Sequence, residues 1–268
     1  MQPGPASDAG LPPAGGRSSA PRRWRRAAAA LIVVLALCGL AAATRGVLTQ
    51  VMPRQFTAAQ QRQIEAWEVS RRWHTLPEGA IFPAAVSYQL PGQALGSSSG
   101  LALTARRLGI APPAACAGGT DAAAAAILAA HGCTTILRAT YADATTSMLV
   151  TIGVAVLPSS IAATEAGNQL YSAEPQDPHG AVSPAPVPGT LAAGFASGQR
   201  QLAWETHAGS YVILATAGYA DGRPTEHLTG DGYLLTEMSS LAQGLGDEVS
   251  EVLGKAAPVP ACPGAPGC

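Results

Sequence analysis

Apolar and polar residues alternate in four different ways along this chain, and each way predicts a different element. The first is an interruption of all polarity: between Arg26 and Arg45 lie eighteen consecutive residues without a charge. As a helix rising 1.5 Å per residue they cover about 27 Å, close to the roughly 30 Å hydrocarbon core of a bilayer. A core helix would show a polar face and this run shows none, so a membrane-spanning helix is expected over 27–48. The second pattern, "TAAQQRQIEAWEVSRRWHTLPEG", predicts a helix capped by Thr57 and stopped at Pro77 and Gly79. Its apolar residues Ile64, Trp67 and Trp73 are sparse among charges, which reads as a solvated stalk over 49–78. The two tryptophans suit packing on the following domain better than the bilayer interface, which lies nearer the end of the span.

From Ile81 the period shortens to that of strands. "IFPAAVSYQL" reads as a strand with Pro83 near its start, which suits a sheet edge. "LALTARRLGIAP" reads as a second, shortened by Gly109 and Pro112. "GGTDAAAAAILAAHGC" predicts a helix with Thr120 or Asp121 as its cap and Gly132 at its stop. The β-branched runs "CTTILRATY" and "SMLVTIGVAVLP" form a hairpin of central strands around "ADATT". Ser159 or Ser160 then caps a short helix to Leu170. Residues 171–189 hold five prolines and read as an exposed loop or extended edge. "RQLAWETHAG" and "SYVILATAGYADGRP" form a second hairpin across Gly209 and Ser210. The fourth pattern is a stripe at three- and four-residue steps (Leu234, Leu235, Met238, Leu241, Leu245, Val249, Leu253), a core-facing helix over 231–254.

These elements predict an α+β domain over 79–255: a mainly antiparallel sheet with helices on one face. The section strand–helix–hairpin–helix–strand has a ferredoxin-like order. Residues 1–26 form a basic tail with too little to bury to fold, and 256–268 a Pro/Gly-rich tail.

Charge sharpens the placement. Residues 1–26 carry five arginines and one acid, a net +4, whereas the chain from Arg45 onward carries −5. Arginines crowded before the uncharged run set its orientation, amino terminus in the cytoplasm and the domain outside. A retained anchor competes with a cleaved signal, since Ala41 to Ala43 offer small residues for cleavage, and with lipidation at Cys38, where Leu37 is too large for the usual pattern. All three export the domain. Its acidic balance argues against nucleic acid, which demands a basic face.

Export also bears on the cysteines. Cys38 lies in the apolar run, which leaves Cys116, Cys133, Cys262 and Cys268, an even number with three possible pairings in an oxidising compartment. Proximity favours Cys116 with Cys133 and Cys262 with Cys268. A zinc site from Cys116, His131 and Cys133 lacks a fourth ligand, and oxidation would consume both thiols. Ser210, His207 and Asp221 make a hydrolase triad only on paper, without a nucleophile elbow. No glycine-rich phosphate loop follows a strand, and no cofactor is expected. Arg138 is a charge in the middle of an apolar strand. It is either outward-facing or paired, or it is a ligand contact for an anion or carboxylate.

"LPEGAIFPAAVSYQL", "GIAPPAAC" and "HGCTTILRATYAD…VTIGVAVLP" resemble segments of uncharacterised, single-pass membrane-anchored extracytoplasmic proteins of actinobacteria, over about residues 20–220. The resemblance implies a retained anchor and an exported domain, and supplies no catalytic residues. The expectation is therefore a membrane-anchored binding or interaction protein of the cell envelope, not an enzyme, whose partner is another envelope protein or a small ligand. A hydrolase with an unfamiliar site and a structural spacer are the alternatives.

Overall fold

The computed structural model describes residues 22–51, 57–92, 99–172, 181–225 and 236–255, in two units that divide between Gln55 and Phe56. The first unit contains helix α1 (Arg22–Val51). Its side chains are described at 26–41 and 43. Among the described residues no helix is long and apolar enough to cross a membrane.

In the second unit the apolar runs build a six-stranded sheet: β1 (Ala85–Leu90), β2 (Leu101–Ala114), β3 (Thr135–Ala142), β4 (Met148–Val156), β5 (Arg200–Ala208) and β6 (Tyr211–Tyr219). The order is β1-β2-β3-β4-β6-β5, with every neighbouring pair antiparallel. Both expected hairpins form, and β1 begins after the one-turn helix α3 (Glu78–Ile81) and Pro83, on the edge. The ferredoxin-like order does not hold, because it needs parallel neighbours joined by crossovers. Instead, the chain leaves β2 at Ala114, makes the short helices α4 (Cys116–Gly119) and α5 (Ala122–Ala130), and returns beside its exit, where Ala114 pairs with Ile136. A Cys116–Cys133 disulfide closes that excursion.

Helices cover both faces, not one. All nine residues of β4 are buried. Val150, Ile152 and Val154 face helix α7 (Thr236–Gly254), whose stripe Met238, Leu241, Leu245, Val249 and Leu253 is at most 1% exposed. Ala155, with Val212 and Leu214 of β6, faces α5 and helix α6 (Ser160–Ser172). A strand apolar on both sides reads as an unbroken run, and "MLVTIGVAV" is one. The sheet curls round α7. Five gaps of about 4.8 Å would hold the edges of a flat sheet about 24 Å apart. Yet edge residues Tyr88 of β1 and Trp204 of β5 meet α7 at Gly244 and Gly246, two positions apart. A Cβ on Gly246 would lie 2.1 Å from the Trp204 ring, so the approach requires glycine.

Two surface expectations are corrected. The stalk helix, α2 (Ala58–Thr75) with a Thr57–Gln60 capping box, packs on the domain. Ile64 is fully buried, Val69 and Trp73 join the main core, and Arg72 donates to the carbonyls of Val252 and Leu253 at the end of α7. Its few apolar residues are enough because the charged Arg72 finds the unbonded carbonyls and partial negative charge of a helix C-terminus. The proline-rich segment is not an exposed loop where it is described: Ala181, Val182 and Ala185 are at most 3% exposed. Side chains from the sheet bond its backbone, and it pairs with the chain around Thr120 through an isolated bridge at Val182 and bonds between Asp121 and Ala181 and between Ser183 and Gly119.

Candidate functional site

The face opposite α7 is banded. Ile136, Ala155, Val212 and Leu214 make it apolar at one end, and Ala142, Leu149 and Phe195 at the other. Between them lies a polar row. Thr140 of β3, Thr151 of β4 and Thr216 of β6 sit side by side in register, all fully buried. Each is a hydroxyl in a largely apolar strand, and such groups are kept in a core only when bonded.

Their partner is the strap 181–187. The Ala185 N–H donates to Thr151 Oγ1 at 3.1 Å, and Thr140 Oγ1 donates to the Ala185 carbonyl at 2.6 Å. The two hydroxyls are 2.8 Å apart. Thr140 has spent its one proton, so Thr151 must donate to it. Both polar groups of Ala185 and both hydroxyls thus close one ring. Thr216 Oγ1 donates to the Val182 carbonyl at 2.5 Å. Val182 also sits over Gly153, where a Cβ would be 2.6 Å from its methyl.

Asp121 ties the strap to the helices. Its Oδ1 accepts from Ala124 N at 3.2 Å and so caps α5, while Oδ2 accepts from Ala181 N at 3.0 Å and from Arg200 Nη1 at 2.8 Å. Arg200, 4% exposed, reaches this carboxylate from β5. Charged hydrogen bonds of this kind are what permit a guanidinium to be buried.

Arg138 stands on the same face, in the lane between Gly119 of α4 and Ser183 of the strap. It is half-buried and makes one hydrogen bond, from Nη1 to the Ser183 carbonyl at 3.4 Å. Burial pushes its pKa down. The polar row and the strap set the walls beside it, and neither was expected from the sequence. The sequence signal was a Thr inside each of three apolar runs.

The other expected residues lie apart. Cys116 and Cys133 are joined, with Cα atoms 6.2 Å apart, as proximity suggested, while Cys262 and Cys268 lie outside the described residues. Cys38 is a free thiol. His131 ends α5 with Nδ1 3.6 Å from Glu165 of α6, and among the described residues no three His, Cys, Asp or Glu are placed to hold a metal. Ser210 is at the β5–β6 turn, whereas Asp221 lies beyond the far end of the nine-residue β6, about 30 Å of strand away. Asp221 is held below the usual carboxylate range by Arg223, to which it is hydrogen-bonded. Ser210, His207 and Asp221 therefore form no triad. Comparison with protein-family models, with curated proteins and with solved structures returns no match.

Proposed function

We propose that this chain is a single-pass envelope protein, anchored by the uncharged run within 27–48 with its amino terminus in the cytoplasm, whose outer domain binds a partner protein or a small ligand. The carrying observation is the surface of α1. Leu31, Ile32, Val33, Val34, Leu35, Leu37 and Leu40 lie on every side of the helix and are 55–66% exposed. Water is a poor surround for such a cylinder, and lipid is a good one. The Cys116–Cys133 bridge supports an oxidising compartment for the domain. The arginines ahead of the run support the orientation, and the resemblance to anchored actinobacterial envelope proteins belongs to the same reading.

The test is topological. Intact cells treated with a membrane-impermeant protease should lose the domain and keep the basic tail, and carbonate washing should leave the chain in the membrane pellet. Cys116 and Cys133 should resist alkylation in protein taken directly from cells. Recovery of the domain from cytosol with both thiols free would overturn the proposal. Crosslinking on whole cells tests binding separately: a defined adduct on the domain is expected, and its absence would favour a spacer.

A further inference from the structure

Arg138 is a charge without an acidic counterpart among the described residues. It stands near the centre of β3, opposite Ala111 on β2 and Gly153 on β4, neither with more than a methyl group to fill the space beside it. Val182 of the strap takes the room over Gly153, and a Cβ on Gly119 would lie 3.4 Å from the Arg138 Nε. The stem is thus gripped on two sides. The third side is that of the half-buried Ala111, followed by the exposed Pro112 and Pro113 at a bulge in β2. Bulges gather beside functional sites because they re-aim neighbouring side chains.

The guanidinium's donors are underused. Nε is buried without a hydrogen-bond partner, Nη1 has its single 3.4 Å bond to Ser183, and Nη2 is neither bonded nor among the buried atoms. Among the described residues no carboxylate pairs with it: the ion pairs there are those of His131, Arg200 and Arg223. A half-buried cation without compensation destabilises the fold, and such a group persists where something else uses it.

We propose that Arg138 is the anchor of a carboxylate site, gripping one carboxylate end-on through Nη1 and Nη2. The inference rests on the binding role proposed above and names the chemistry of the ligand. One guanidinium balances one negative charge. Arg200 is committed to Asp121, and the chain beyond Arg45 is net acidic. A carboxylate fits that balance, whereas a phosphate dianion calls for a second cation. The planar fork of arginine matches a planar carboxylate in two parallel bonds. Free organic acids and polypeptide C-termini share this chemistry.

The experiment is calorimetric titration of the full chain in mild detergent with propionate, N-acetyl-Ala-Ala and its C-terminal amide, and inorganic phosphate. Saturable heat from at least one free acid, with half-saturation near about 1 mM, is expected, and none from the amide. Propionate alone would assign a free acid, and preference for the peptide a C-terminus. Arg138→Gln should abolish the heat with near-ultraviolet dichroism unchanged, and Arg138→Lys should weaken it at least about tenfold, since lysine keeps the charge without the fork. Arg138→Met should melt about 2–4 °C higher than the parent, because it removes an uncompensated charge. No saturable heat from any carboxylate, equal binding by Arg138→Gln, tighter binding of phosphate, or a lower melting temperature for Arg138→Met would each overturn the site. Such a failure with the chain still anchored and its domain outside would leave the proposed envelope role standing.

Discussion

Replacing Thr151 by valine exchanges one oxygen for a methyl and leaves the shape of the side chain nearly unchanged, so its effect isolates the ring that holds the strap. The Ala185 N–H would lose its acceptor, at 3.1 Å, in a place without water access, since Ala185 is 3% and Thr151 0% exposed. An orphaned buried donor costs about 1–3 kcal/mol. The added methyl returns up to about 0.8 kcal/mol of apolar burial. The balance is a loss of about 1–2 kcal/mol, or a fall of about 2–8 °C in melting temperature for a domain of this size. Amide exchange places the effect: Ala185 should exchange about 5–30 times faster, while the Ile152 amide in the β4 ladder changes less. Thr140→Val leaves the Ala185 carbonyl without its donor, and the double variant should cost less than the two singles together because both act on one ring. A Thr151→Val protein that melts at or above the parent temperature, with the Ala185 amide equally protected, would refute the ring as the strap's attachment.

Removing the disulfide by Cys116→Ser with Cys133→Ser should lower the melting temperature by about 6–12 °C, from about 3 kcal/mol of lost restriction on a loop of sequence separation 17, and a reducing agent should reproduce the shift in the parent. Gly246→Ala should destabilise by about 1–3 kcal/mol in denaturant melts despite alanine's better helix propensity, because its methyl meets the Trp204 ring. At high pH, burial holds the Tyr88, Tyr141 and Tyr211 hydroxyls protonated above their ordinary 10.0. The unfolded chain then releases protons first, so their contribution is intact below pH 10 and is lost as pH rises towards the folded values. Tyrosinate absorbance should show these three ionising only together with loss of the fold.

Much of the fold was legible, and the reasons are local. The helix caps, Thr57, Asp121 of the pair Thr120 and Asp121, and Ser159 of the pair Ser159 and Ser160, are signals carried within a turn or two of chain. The stripe of α7 is another, and it reappears from Met238 to Leu253, while Leu234 and Leu235 lie outside the described residues. So are the two hairpins. The strand order was not legible, because nothing near β2 states that the chain will return beside it after α4 and α5. The two-sided burial of β4 was visible as an unbroken apolar run, and the expectation of helices on one face passed over it. The strap misled for a physical reason: five prolines remove backbone donors and read as solvent exposure, while the two donors and one acceptor that allow burial come from threonine hydroxyls 34 to 45 residues away. Arg138 was visible as an anomaly in "TILRATY", but its surroundings depend on Gly119, Gly153 and Ser183 meeting round it.

The curl of the sheet round α7 has a consequence for how the protein comes into being. The helix that fills the hollow follows all six strands of the sheet in the chain, and both rims wait for it. Until it arrives, Val150, Ile152, Val154, Ile213 and Tyr211 line an open trough, an invitation to chaperones and to other unfinished copies. A chain truncated before Thr236 would keep every strand and lose its plug, so quality control need only sense whether the trough has been stoppered.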